Sequence, residues 1–275
     1  MAEIVAAYGV PHTPFFPWIV QRDGPESPTA LLFKKARDSF EAARPDVVII
    51  FDTDHLNTFF LDNLPVFAIG VTEVFKGPND EPRAVPPYTI ESLPRLAAHL
   101  RERGVRAGFD VALVQDFEVD HSVIVPLHFM TPDMRLPVIP VFINGHIPPL
   151  PSAQRCFDLG AVLKGAIEQW PEPLRVAVIG TGSFSLEVWG PRIDPGKSDG
   201  VPDPDWVQEV CRGIGASQIE RLISAATEAR MLQAGNVGGE LLNWLAMLAF
   251  VGARKPDFLD TQLENGHAYA GWCWR

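Results

Sequence analysis

The sequence predicts an α/β fold, a single domain over residues 1–275 with a central, mostly buried sheet flanked by helices and a site at the strand carboxyl ends. Three observations predict it. Six short apolar runs rich in β-branched residues recur along the chain, and their near-continuous apolarity suits strands covered on both faces. Helical patterns fall between them, which is the alternation expected of an α/β sheet. Histidine-bearing polar segments follow several of the runs, where open α/β sheets place their ligands.

In chain order, residues 4–8 read as the first buried strand. Gly9-Val10-Pro11-His12-Thr13-Pro14 follows, and its two prolines remove the backbone donors that a ladder or helix would need. His12 is therefore presented from a stiff turn. Residues 27–43 carry Leu31, Leu32, Ala36, Phe40 and Ala43 at helical spacing behind a Ser27-Pro28 opening. The second strand, 47–51, runs into Asp52-Thr53-Asp54-His55. After a third run at 66–69, residues 75–87 are rich in Pro, Gly, Asn and Asp and read as a surface excursion. A helix is expected over 90–103, stopping at Gly104.

The run at 111–114 leads through Gln115-Asp116-Phe117-Glu118-Val119-Asp120 to His121. Residues 138–143 end at Asn144-Gly145-His146. A helix over 152–169 precedes the run at 176–179, which ends at Gly180-Thr181-Gly182-Ser183. Residues 189–204 form a long loop with repeated Pro and Gly, of the kind that serves as a lid or binding loop. Helices are expected over 206–230. Residues 235–251 give a helix apolar on most faces and hence buried, with Glu240 at its opening. The tail, 257–275, is aromatic and polar and is read as folding back over the site or binding a partner.

Composition narrows the possibilities. The chain is 47% hydrophobic and can bury a sizeable core; its net charge is −11, with no Lys/Arg-rich run. Nucleic acid and anionic membrane surfaces are poor partners for such a chain. Cys156, Cys211 and Cys273 are far apart, without a CxxC pair, which argues against a zinc ribbon, an iron–sulfur site or a disulfide framework. No basic stretch precedes an apolar leader, and no run is long enough to span a bilayer. A cytoplasmic location is expected.

Four of the seven histidines (His12, His55, His121 and His146) follow strand runs, where one cleft can hold them. His99 falls on the polar face of a helix, and His128 and His267 have no clear context. Glu240 adds a carboxylate. An isolated acid on a buried helix edge is costly unless paired or metal-bound, although an acid in a first turn also suits the helix dipole. Two imidazoles and one carboxylate on one face of a ferrous ion leave positions open for substrate and dioxygen.

These segments together resemble the class III extradiol ring-cleavage dioxygenases, typified by the catalytic β subunit of protocatechuate 4,5-dioxygenase. The resemblance covers nearly the whole chain. It rests on Gly9 to Pro14, Asp52-Thr53-Asp54-His55, Val119-Asp120-His121-Ser122 with Val125-Pro126-Leu127, Pro140 to Asn144 with Pro148-Pro149, Gly180-Thr181-Gly182-Ser183 and Gly238-Gly239-Glu240-Leu241-Leu242-Asn243-Trp244-Leu245. It implies that His12, His55 and Glu240 bind Fe(II), and that O2 and a small aromatic substrate with adjacent hydroxyls, or a hydroxyl beside an amine, are the reactants. It carries an acid/base or oxygen-orienting role to His121.

One position departs from the pattern. Family members place an active-site base histidine where this chain has Leu186. General acid–base help is typically worth a factor of about 10² to 10⁴, so the change demands an account. His146 or His121 replaces the base; or the substrate, gentisate-like or pyridine-like, needs none; or the chain is a non-catalytic partner subunit. A metal-dependent hydrolase or lyase on the same scaffold is a further alternative. Thr13, Ser183, Ser185 and Leu186 are candidate substrate contacts, and no Lys or Arg in these motifs offers to pair a substrate carboxylate. The resemblance also implies a homo-oligomer or a small second subunit that covers the site.

Overall fold

The computed structural model describes residues 1–274. Along the chain run β1 (Ala2–Val10), α1 (Phe16–Asp23), α2 (Pro28–Ala43), β2 (Val47–Asp52), β3 (Phe67–Gly70), β4 (Val74–Gly77), β5 (Tyr88–Glu91), α3 (Pro94–Arg106), β6 (Val111–Val114), α4 (His121–Met130), β7 (Val138–Ile143), α5 (Ala153–Glu168) and β8 (Leu174–Thr181). They are followed by β9 (Glu187–Val188), β10 (Asp199–Gly200), α6 (Pro204–Gly215), α7 (Ile219–Ala225), α8 (Glu228–Gln233), α9 (Leu241–Val251), β11 (Phe258–Gln262) and β12 (His267–Cys273).

Eight strands form one mixed sheet in the order β11-β12-β1-β8-β2-β7-β3-β6. The four central strands, β1, β8, β2 and β7, are mutually parallel, so their carboxyl ends lie along one edge. Both flanks reverse direction: β3 runs antiparallel to β7, and β12 runs antiparallel to β1. Alternate side chains serve two cores, as the pleat requires. Val47, Ile49 and Phe51 of β2 join one cluster with α3, α5, α6 and α9, while Val48 and Ile50 join the other with α2 and α4. All six residues of β2 and all eleven of α9 are buried. That is why both read as unbroken apolar runs.

All six sequence-predicted strands are present, and Ser27 caps α2 by accepting from the Ala30 amide. Several local expectations need correction. Ile90 belongs to β5, and α3 continues through Gly104 to Arg106, because a glycine within a helix only lowers its stability. The excursion at 75–87 contains β4 residues, paired with β5. The tail is not a loose cover: β11 and β12 extend the main sheet. His121 does not sit in a strand-end loop but opens α4, behind the N-cap Asp120. No helix among the described residues is long and apolar enough to cross a membrane.

Candidate metal centre

Strand ends and two helix starts bring the key side chains together. His12 follows β1, where the Gly182 amide donates to the Val10 carbonyl at 3.0 Å and ties β1 to the end of β8. His55 follows β2. The adjacent Asp54 carboxylate accepts from the amides of Asn57, Thr58 and Phe59 at 3.2, 3.0 and 2.9 Å, which winds this loop tightly and fixes the backbone of His55. Glu240 ends a single 3₁₀ turn leading into α9.

The entry of α9 is pinned to the same sheet edge. Asn243 Nδ2 donates to Thr53 Oγ1 and to the Thr181 carbonyl, both at 3.0 Å. Trp244 Nε1 donates to the Gly182 carbonyl at 3.1 Å. Gly182 has φ 128°, and a side chain there would collide with Glu240. Its absence lets the carboxylate lie against the end of β8, where Glu240 Oε2 accepts from the Ser183 amide at 2.7 Å.

The other oxygen, Glu240 Oε1, lies 3.0 Å from His12 Nε2 and 3.1 Å from His55 Nε2. His55 is held from behind: its Nδ1 donates to Asp120 Oδ2 at 2.9 Å, and so does its backbone amide, also at 2.9 Å. An imidazole that donates through Nδ1 turns the lone pair of Nε2 forward. A lone pair facing a carboxylate oxygen at this distance is repulsive unless positive charge lies between them. The donor set of two imidazoles and a carboxylate therefore fits a metal cation, and the His55–Asp120 bond is of the kind that orients an imidazole toward a metal.

That positive charge comes from a metal or, without one, from a proton on His55. Burial disfavours the charged form of His55, yet Asp120 and Glu240 outweigh it and raise its pKa well above the ordinary value. Burial would likewise raise Glu240, but His12 and His55 hold its carboxyl well below the usual range. Burial lowers the pKa of His12, against the pull of Glu240. Asp120 is a buried carboxylate that also accepts from Ser122 and from Asn57 Nδ2; burial opposes its charge, and His121 and His55 keep it ionised.

His121 stacks on His55, with ring centroids 4.3 Å apart, and its centroid is 5.6 Å from that of His12. One nitrogen from each of His12, His55 and His121 falls within 4.8 Å of the others, so the three form a group that can hold a metal ion. Two donor sets thus share His12 and His55. The Glu240 set is the tighter, because one oxygen touches both imidazoles. His121 Nδ1 is engaged by Asp80, which also accepts from the His121 amide at 3.1 Å.

His146 lies at the edge of the group, its centroid 5.9 Å from His55, and burial followed by His55 lowers its pKa. The polar candidates fare differently. Thr13 is half-buried, and its carbonyl accepts from the Phe16 amide at 3.2 Å in the turn into α1. Ser183 is buried against Glu240 through its amide. Ser185 is fully buried; its hydroxyl donates to the Ala234 carbonyl at 2.7 Å and accepts from the Asp203 amide at 3.0 Å, so its proton is committed to backbone. Leu186 is half-buried, and its carbonyl accepts from the Val237 amide at 3.3 Å. Among the described residues no Lys or Arg bonds to the site histidines or to Glu240, Asp120 or Asp80.

Sequence reasoning placed four histidines in one group, and all four are there. It missed Asp80 and Asp120. Asp120 carried a legible signal, as an N-cap residue directly before an apolar helical run. Asp80 carried none, because its role depends on how the excursion folds back. His121 reaches the site at the start of α4, since β6 runs opposite to the central strands and its carboxyl end is not at that edge.

Comparison with known proteins bears on this arrangement. Residues 6–270 match the family model described as the catalytic LigB subunit of aromatic ring-opening dioxygenase. The chain belongs to this family. A 2,3-dihydroxyphenylpropionate/2,3-dihydroxicinnamic acid 1,2-dioxygenase of Escherichia coli, from strains O139:H28 and K12 among others, is 34% identical over 165 residues, which is 60% of this chain and 50% of that protein. The chain thus matches about half the length of these curated relatives. An uncharacterized protein of Escherichia coli K12 has the same fold, with a TM-score of 0.60 at 14% identity, covering 97% of this chain and 98% of the other. In this LigB family chain, the last six residues of β1 and of β8, which lead to the site edge, are all buried.

Proposed function

We propose that the protein is a non-haem Fe(II)-dependent dioxygenase that cleaves the ring of a small hydroxylated aromatic or heteroaromatic compound with O2, and that residues 1–275 act as one catalytic domain. The observation that carries this reading is the approach of His12 Nε2 and His55 Nε2 to the single oxygen Glu240 Oε1, in a chain of the LigB family. His12, His55 and Glu240 would hold the metal. Ferrous iron, when bound, supplies the one-electron chemistry that lets dioxygen react with an electron-rich ring.

The chain's own residues orient and protect. Asp120 fixes the His55 ring, and Asp80 fixes His121, whose Nε2 makes no hydrogen bond among the described residues and is available to bond an incoming ligand or to move a proton. His146, neutral because of its burial, is the candidate for the proton-accepting role that Leu186 cannot fill. Thr13, Ser183 and Leu186 line the approach. The matched E. coli relatives are named for a ring with adjacent hydroxyls, and a substrate of that kind is proposed here. Among the described residues no Lys or Arg bonds to these side chains, which supports a ring whose carboxylate, if present, lies away from them.

Anaerobic reconstitution with Fe(II), followed by oxygen uptake on catechols, gentisates, aminophenols and dihydroxypyridines, tests the reading. Stoichiometric oxygen consumption with at least one ring is expected. No uptake with any ring despite stoichiometric iron points instead to a non-catalytic partner subunit. Activity that returns with Zn²⁺ and not Fe²⁺ would sink the iron assignment, since a three-histidine set also suits zinc.

A further inference from the structure

His267 is the one histidine near the site without an assigned task. It is the first residue of β12, is 3% exposed, and its Nδ1 has no hydrogen-bond partner among the described residues. An unpaired buried nitrogen is costly and rare enough to need an explanation. Its location supplies one. Strand β12 pairs with β1 so that Ala6 faces Cys273 and Gly9 faces Ala270. The same register carried three residues further sets His267 level with His12, at the sheet edge where the metal-binding groups converge.

The surroundings hold this ring still. The Phe16 ring meets it edge-on, with centroids 5.5 Å apart, and the Tyr269 ring does so at 5.8 Å. Its chain neighbour Gly266 accepts from the amides of Phe184 and Ser185 at 2.7 and 3.1 Å. Gly266 has φ 76°, and a side chain there would collide with the Ser185 carbonyl. The start of β12 is thereby stitched to the segment that ends at Leu186, where the family resemblance leads one to expect a histidine. The charged and titratable groups acting on His267 are Glu240 and His12, both from the site itself. Burial pushes its pKa down to about 3, against weaker upward pulls from the Asn265 carbonyl and Glu240.

We propose that His267 is a substrate-contacting residue: its imidazole accepts a hydrogen bond from a ring hydroxyl and so sets the orientation of the ring on the His12 side of the site. The proposal rests on the dioxygenase reading. No bond is made or broken in this contact; the hydroxyl donates and the imidazole nitrogen accepts.

The test compares His267→Leu, which removes the acceptor, with His267→Gln, which keeps one. Anaerobic, Fe(II)-loaded protein is titrated with 4-nitrocatechol, whose visible absorption reports binding, and oxygen uptake is then measured on the best substrate of the wild type. Iron content and far-UV circular dichroism should match the wild type in both variants. His267→Leu should bind the probe on the order of tenfold more weakly, the usual cost of a lost buried hydrogen bond. His267→Gln should recover part of that loss. Equal binding by wild type and His267→Leu overturns the proposal. So does a Gln variant as weak as the Leu variant, which would assign the ring to packing against Phe16. Wild-type protein that loads iron but neither binds the probe nor consumes oxygen removes the dioxygenase reading, and this proposal with it, whereas an active wild type with unaffected variants removes His267 alone.

Discussion

On the His55 side of Glu240 two imidazoles are held by carboxylates: Asp120 takes His55 Nδ1, and Asp80 takes His121 Nδ1. On the His12 side, the buried imidazoles His12 and His267 leave Nδ1 without a partner among the described residues; His12 meets the His55 and His121 rings edge-on, and His267 meets those of Phe16 and Tyr269. The first side is organised by charge, the second by ring packing. In the proposed reading, the carboxylate-held side supports positive charge at a metal and the other side presents an uncharged face to a ring. Charge-assisted contacts fix orientation and raise ligand basicity. Apolar packing keeps an imidazole neutral because its protonated form cannot be solvated there.

The strongest way to break this comparison is to remove the group both sides share. Glu240→Gln keeps the shape and loses the charge, and should reduce bound metal and oxygen uptake by more than the roughly 10- to 100-fold that an outer partner is worth. Metal analysis of the purified variant is the check, and a full complement of metal would show that the carboxylate is not a ligand. Next in size is Asp120→Asn. Asparagine still caps α4 but no longer presents a full negative charge to His55, so metal affinity should fall by about 10- to 100-fold while helix content is retained. An unchanged affinity in competitive chelator titrations would mean that His55 needs no support.

The smallest effect lies on the apolar side and is read in stability. His267 is held at about 3 against an ordinary value of 6.5. Between these values the unfolded chain binds a proton that the folded chain refuses. Folded-state stability is therefore undiminished above pH 6.5 and falls as the pH drops toward 3, by at most about 1.4 kcal/mol per pH unit from this one group. Urea unfolding of the metal-free protein at pH 7, 5.5 and 4.5 should show a steeper loss for the wild type than for His267→Leu. Identical slopes would mean that His267 is solvated in the folded chain.

Much of this was legible in the local pattern. Residues 47–51 and 138–143 are apolar on both faces because both faces are covered, and that signal needs no partner to be read. The prolines around His12, the Asp54-His55 pair behind β2 and the lone Glu240 before an apolar helix are likewise properties of short stretches. They sufficed to nominate His12, His55, His121, His146 and Glu240.

Tertiary structure decided the rest. The rule that sites gather at strand carboxyl ends holds for the parallel centre, but at the flanks the sheet reverses, and there the amino end of a strand reaches the same edge. His267 was invisible to that rule because its position depends on the register of β12 against β1, more than 250 residues apart in the chain. Asp80 became a partner of His121 only when the excursion folded back, 41 residues from its target. Local periodicity records which face of an element is buried, whereas strand direction and long-range pairing are set by how all the elements pack together. The sequence by itself therefore determined the kind of fold and the candidate donor side chains. The tertiary structure alone determined which side of the site is held by charge and which by packing.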